Sequence, residues 1–154
     1  MKIDYSDKLL EELMKIVIEE VDVAINEGNS PFAAILVDKF GNIVAKTHNT
    51  TKSMCNPILH AEINLINKVC EKLHTMDLSE YCIVSNAWSC SMCMSACIKA
   101  KITNFVFGTA SESNMNPNVT IYDIEEKTNN KLNITIDILE EECKAQILKA
   151  RNNN

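Results

Sequence analysis

Residues 81–101 read YCIVSNAWSCSMCMSACIKAK, and the fold class turns on them. Tyr81 to Ser85 is a short apolar run of strand length, and Ser91 to Lys101 has helical composition and spacing, so a buried strand feeds a helix. Between the two, Cys90 and Cys93 stand at i and i+3 and share one face of the helix start.

Outward from this stretch the alternation of helix and strand continues, which predicts an α/β domain. Toward the N-terminus, His60 to Leu73 is expected to be a helix. Phe32 to Asp38 and Asn42 to Thr47 are expected to form a hairpin around Asp38-Lys39-Phe40-Gly41. From Ser6 to Glu27, Leu10, Leu13, Val17, Val21 and Ala24 recur at helical spacing, and Gly28 supplies the stop. Toward the C-terminus, Asn104 to Phe107 reads as a strand closed by Gly108. Leu132 to Ile138 reads as another strand, and Leu139 to Arg151 as a closing helix. Thr109 to Lys131 is polar and Asn-rich, a connection with a turn or two of helix near Thr120 to Lys127. Residues 1–151 are expected to form a single domain, and 152–154 a frayed tail.

Composition narrows the partners. A chain of 154 residues, 46% hydrophobic, can bury a real core. Its apolar stretches are interrupted well before a membrane-spanning length, and its start lacks the apolar segment of a signal peptide, so a cytoplasmic address and no membrane partner are expected. Cys55, Cys70, Cys82, Cys97 and Cys143 lack the spacing of a disulfide framework and are expected to be reduced thiols packed as small hydrophobes. A net charge of −6 without a dense Lys/Arg cluster argues against nucleic acid and for a small neutral substrate, unless Lys99, Lys101, Lys144, Lys149 and Arg151 converge in space.

Cys90 and Cys93 acquire partners earlier in the chain. His60 and Glu62 fall at the start of the second helix, as the two thiols fall at the start of the third. A closed structural zinc site uses four protein ligands, whereas a catalytic one uses three and leaves a position open. One imidazole and two thiolates, His60, Cys90 and Cys93, fit the second arrangement, and Glu62 is a carboxylate left over for proton transfer. The positive ends of two helix dipoles would then face one Zn2+ and hold Cys90 and Cys93 as thiolates before metal arrives. Cys97, one turn further in, reads as core. His74 reads as a cap at the end of its helix.

On these residues the chain resembles the cytidine/deoxycytidylate deaminase-like superfamily, in the branch that holds guanine deaminases, fungal-type cytosine deaminases and tRNA adenosine deaminases. The resemblance runs through Pro31-Phe32-Ala33-Ala34, Thr47-His48-Asn49, Asn56 to Glu62, Ser89 to Cys93 and Leu139 to Cys143. It implies a three-layer α/β/α sandwich around a mixed five-stranded sheet, in a homodimer whose second copy helps wall the pocket. It also implies that His60, Cys90 and Cys93 hold zinc, that Glu62 shuttles protons, and that Asn49 contacts the base. His48, next to Asn49 on a strand, faces the other way and reads as structural. The expected substrate contacts are Asn49, Ala61 and Trp88. Where the family usually reads Glu-Pro before the first Cys, this chain has Trp88-Ser89; Ser suits a helix start, and Trp88 either stacks on a base or fills the space vacated by Glu. The reaction implied is hydrolytic deamination of a free base or nucleoside, guanine or a related purine first and cytosine second. The alternatives are a tRNA-specific adenosine deaminase or a catalytically silent zinc-stabilised domain. Glu62, which a structural zinc does not require, speaks against the silent domain.

Overall fold

The computed structural model describes residues 1–110 and 117–153. The elements follow in the order α1 (Asp7–Asn26), β1 (Ala33–Asp38), β2 (Ile43–His48), α2 (Ala61–Leu73), β3 (Tyr81–Ala87), α3 (Ser91–Lys99), β4 (Asn104–Thr109), α4 (Ile121–Lys127), β5 (Asn133–Thr135) and α5 (Glu140–Asn152). The strands form one sheet in the order β2-β1-β3-β4-β5. β1 runs antiparallel to β2 and β3, whereas β3, β4 and β5 are mutually parallel, so the sheet is mixed as expected.

Three layers follow from the alternation of side chains along each strand. On one face Ala33, Ile35 and Val37 of β1, Cys82 and Val84 of β3 and Val106 of β4 pack with α1 and with Cys143 of α5. On the other, Ala34, Leu36, Ile83, Phe105 and Phe107 pack with α2, α3 and α4. A strand covered on both faces has to be apolar throughout, and Ala33 to Val37 is buried without interruption. Phe105 and Phe107, fully buried and stacked with centroids 6.0 Å apart, each add about 1.5–3 kcal/mol of burial. α1 is nucleated by Ser6, whose hydroxyl accepts the Leu9 N–H at 3.2 Å, and its buried stripe runs from Leu10 to Ala24.

Several boundaries move for identifiable reasons. The last strand shrinks from the expected 132–138 to Asn133–Thr135, because it is an edge strand paired only to β4 through Asn104, Phe105 and Val106. α5 extends to Asn152, one residue into the expected tail, whereas Asn154 lies outside the described residues. The expected connection 109–131 contains the last residue of β4 and all of α4, which Thr120 and Asp123 open with a reciprocal capping box. The remainder of that expectation, at 111–116, lies outside the described residues. Gly108 lies inside β4 and does not close it. A Cβ there would stand 2.5 Å from Sγ of Cys143 and 2.6 Å from the Asn86 carbonyl oxygen, so α5 packs on the strand because this residue has no side chain. His74 caps α2 through its backbone, which turns into the left-handed region at φ 54. No described helix is long and apolar enough to cross a membrane.

Candidate active site

The N-termini of α2 and α3 meet beside the N-terminal end of β1 and the C-terminal ends of β2 and β3. His60 is the residue that caps α2 and Cys90 the residue that caps α3, both in extended conformation, so their side chains leave the helices at the tips. Cys93 follows one turn later and is fully buried. Nδ1 of His60 lies 3.5 Å from Sγ of Cys90 and 3.5 Å from Sγ of Cys93. All three donor atoms fall within 4.8 Å of one another, so the expected trio comes together and is placed to bind a metal. The donor set suits zinc: an imidazole and two sulfurs, with no fourth protein ligand among the described residues.

The metal-free electrostatics are less symmetric than the sequence suggested. The Cys93 thiol beside it, aided by the His60 imidazole, lowers the Cys90 thiol to about 4. Cys93 is driven the other way, first by its hydrogen bond to Cys90 and then by burial and the charge of Glu62. The expectation of two thiolates before metal arrives is therefore corrected: Cys90 is the thiolate and Cys93 the thiol that donates to it, because two adjacent buried anions repel. His60 is raised by the same contact with Cys90, against the burial that would lower it. Cys97 sits fully buried in the core, as expected, with its thiol raised by burial.

These groups open into a cleft of about 540 Å³, a size suited to a small ring system. Its lining includes His60, Glu62 and Cys90, with Asn49, Trp88 and Arg151 around the remaining wall. Glu62 is 6% exposed, and burial raises its carboxyl above the usual range, partly offset by the Ser89 hydroxyl nearby.

Asn49 is buried in the wall, and its Oδ1 is already occupied: it accepts from the Thr51 N–H at 3.0 Å and from the Thr51 hydroxyl at 2.8 Å. The amide therefore offers the cleft its Nδ2 as a donor, where sequence alone allowed both roles. Trp88 lines the cleft and also packs on the core, its ring 5.5 Å from Tyr122 in a T-shaped contact. Both expected roles of Trp88 are compatible with this position. Ala61 does not line the cleft. Its methyl is fully buried in the core on the α2 side, because the first residue of α2 faces the sheet, which leaves only its backbone for a substrate contact.

Residues beyond the metal trio and Glu62 hold the site in place. Nδ2 of Asn64, on α2, donates to the His48 carbonyl and to the Thr50 hydroxyl, both at 2.9 Å, and so ties the metal-bearing helix to the segment carrying Asn49. Asn86, fully buried, accepts from Ala33 N–H and donates to the Pro31 carbonyl, both at 3.0 Å. His48 faces away from the cleft toward α1, where its two ring nitrogens meet Glu20 at 2.5 Å and Glu27 at 2.7 Å. Arg151 reaches the cleft from the last turn of α5, and no local pattern near the metal motif announces a residue so distant in sequence.

Comparison with known proteins adds to this geometry. The model of the cytidine and deoxycytidylate deaminase zinc-binding region matches residues 7–109, from α1 to the end of β4. The tRNA-specific adenosine deaminase of Bacillus subtilis is 31% identical over 132 residues, covering 84% of this chain and 81% of that protein. The guanine deaminase of the same organism is 29% identical over 90 residues, 58% of this chain and 55% of that protein. A solved guanine deaminase from Nitrosomonas europaea superposes with a TM-score of 0.83 at 22% identity, covering 98% of this chain and 87% of that one, which speaks to the fold.

Proposed function

Because the chain belongs to the cytidine and deoxycytidylate deaminase zinc-binding family, and so to the zinc-dependent hydrolytic deaminases, we propose that it converts adenosine carried in tRNA to inosine. The observation that carries this choice is the breadth of similarity. The tRNA adenosine deaminase of Bacillus subtilis matches over 84% of the chain, where the guanine deaminase reaches 58%. The order expected from sequence, a free purine first and tRNA second, is thereby reversed. A free purine such as guanine remains the second reading, favoured by the net charge of −6.

In this reading His60 through Nδ1 and Cys90 and Cys93 through Sγ hold the zinc. When bound, the ion makes a water acidic near neutral pH and supplies a Lewis acid beside the reacting carbon. Glu62 takes a proton from the water on an oxygen of its carboxylate, hands it to the adjacent ring nitrogen, and protonates the departing amine in the same way. Water oxygen becomes bonded to the amine-bearing carbon, the carbon–nitrogen bond breaks, and ammonia leaves. Burial keeps Glu62 from exchanging that proton with bulk water. Asn49 donates from Nδ2 to an acceptor on the base, and Trp88 offers a ring face to it. A homodimer belongs to the same reading. Met54 and Ile58, 64% and 52% exposed between Asn49 and His60, give a second copy an apolar edge beside the cleft, and the mass in solution tests it.

The substrate is tested by incubating the zinc-loaded protein with tRNA, adenosine, guanine and cytosine and following the products by mass. Inosine in tRNA supports the proposal. Conversion of guanine to xanthine with no inosine in tRNA overturns it in favour of the second reading.

A further inference from the structure

His48 points away from the cleft, yet it is the residue next to Asn49 and its ring is bonded at both nitrogens. Nδ1 meets Glu20 at 2.5 Å and Nε2 meets Glu27 at 2.7 Å. A carboxylate can only accept, so a ring that serves two of them must donate from both nitrogens and is protonated. The charged groups facing it are Glu20 and Glu27 from α1 and, on its own strand, Lys46, whose Nζ lies 4.0 Å from the other oxygen of Glu20. From α2, the Asn64 amide donates to the His48 carbonyl at 2.9 Å and Lys68 donates to the Lys46 carbonyl at 3.3 Å.

The two segments that this ring joins both lead directly into the cleft. Glu27 is the residue that caps α1 at its C-terminus, and the chain then turns through Gly28 at φ 80 into Asn29, Ser30 and Phe32. Ser30 and Phe32 line the cleft from this side, and Asn49 and Thr51, which follow His48, line it from the other. Beyond the ring the same two segments are tied again. Asn29 donates from Nδ2 to the Ser53 hydroxyl at 3.1 Å and accepts the Ser53 N–H at 3.0 Å, and the Phe32 carbonyl accepts the Asn49 N–H at 2.9 Å. The neutral ties hold at any pH. The bridge through His48 is the one that depends on a proton.

We propose that His48 is a positioning residue for base binding: bonded to Glu20 and Glu27, it latches the end of α1 to the end of β2, holds Asn49 against segment 30–32, and releases them when its ring loses a proton. The latch acts through the contact between Asn49 and the base, and so rests on that reading of the site, which the adenosine and guanine readings share. A neutral imidazole has one N–H and one lone pair, so one carboxylate must then face an acceptor. Glu27, 48% exposed, can turn to water, whereas Glu20, 11% exposed, keeps the remaining N–H. The last turn of α1 is thereby freed from β2. The two carboxylates raise the His48 pKa, so the latch is closed below about pH 6.5 and opens as pH rises through the folded value. Base affinity therefore falls on the alkaline side.

Trp88, the one tryptophan of the chain, lines the cleft and reports occupancy by its fluorescence. Zinc-loaded wild type, His48→Lys and Glu27→Gln are titrated with adenosine, guanine and tRNA at a series of pH values, and kcat is followed on whichever is turned over. His48→Lys stays charged throughout the series, so dividing by it cancels the ionisations of the base and of the metal site. The Kd of wild type over that of His48→Lys is expected to rise at least about threefold from acid to alkaline pH, with the kcat ratio flat, because the latch strengthens binding of substrate and transition state alike. In Glu27→Gln the rise is expected at lower pH, since one of the two carboxylates that hold the proton is gone. By reciprocity, saturating base should raise the His48 titration midpoint followed by NMR, by about half a pH unit for a threefold ratio. A flat Kd ratio, or a His48 midpoint that the base does not move, overturns the latch and leaves His48 a structural bridge, even in a protein that makes inosine in tRNA. Turnover of guanine alone, with the alkaline fall present, sinks the tRNA reading and leaves the latch standing. A wild type that binds none of the three overturns the latch, because there is then no base contact for it to position.

Discussion

Gly108→Ala tests whether the packing of α5 on β4 is as close as it must be to carry Arg151 to the cleft. The new Cβ would meet Sγ of Cys143 at 2.5 Å, Cβ of Cys143 at 3.1 Å and the carbonyl oxygen of Asn86 at 2.6 Å. A thiol can rotate away. The carbonyl cannot, because it belongs to β3, whose neighbours Ser85 and Ala87 are registered on Phe107 and Thr109 of β4. Overpacking of a tight core costs about 1–3 kcal/mol, and a clash with fixed backbone puts this substitution at the upper end, about 3 kcal/mol. For a chain of this size that corresponds to a fall of roughly 6–12 °C in Tm. Urea and thermal denaturation of Gly108→Ala, Cys143→Ala and the double variant form a cycle. Removing Sγ relieves one of the two severe contacts, so a favourable coupling of about 1 kcal/mol is expected, with the Asn86 contact left unrelieved. A Gly108→Ala protein that melts with the wild type, or a cycle with no coupling, refutes the close-packing argument.

Other consequences follow from the site. His48 donates to both Glu20 and Glu27. Burial alone would lower its pKa, but the hydrogen bonds and charges of the two carboxylates raise it overall. A folded pKa above the unfolded value means that the stabilisation is complete below pH of about 6.5 and is lost as pH rises through the folded value. The advantage of wild type over His48→Gln, about 1.5 kcal/mol with Glu27 half-exposed to solvent, should shrink toward alkaline pH in a urea series, and a constant difference would count against the clamp. Glu62→Gln should lose turnover by at least about a hundredfold, measured as ammonia release; unchanged turnover removes Glu62 from the mechanism. Trp88→Ala should lower the thermal midpoint, through the lost contact with Tyr122, and also raise KM, since stacking is worth about 1–3 kcal/mol per base. A lower midpoint with unchanged kinetics would make Trp88 core alone.

What the sequence disclosed and what it withheld divide along physical lines. α1 was legible because Leu10, Leu13, Val17 and Val21 repeat at the helical period. β1 was legible because a strand covered on both faces cannot afford a polar residue from Ala33 to Val37. The trio of His60, Cys90 and Cys93 was legible because helix starts have local signatures and a three-donor set is chemically distinctive. The inward direction of the Ala61 methyl was not legible because the side of a helix that faces the sheet depends on how the helix docks, which the motif does not contain. The unequal protonation of Cys90 and Cys93 needs their mutual distance and burial, which spacing at i and i+3 does not supply. Asn64 and Arg151 act through contacts made only when distant segments meet, and the short β5 reflects an edge strand with one partner.

Zinc content, measured per chain in wild type, His60→Ala, Cys90→Ala, Cys93→Ala and Glu62→Ala, tests the central claim that three residues hold the metal and a fourth moves protons. The account predicts about one zinc per chain in wild type and in Glu62→Ala, and loss of the metal from each of the three ligand variants, since a catalytic site has three protein ligands and no spare. Full zinc occupancy in Cys90→Ala and Cys93→Ala, or loss of zinc from Glu62→Ala, would contradict it.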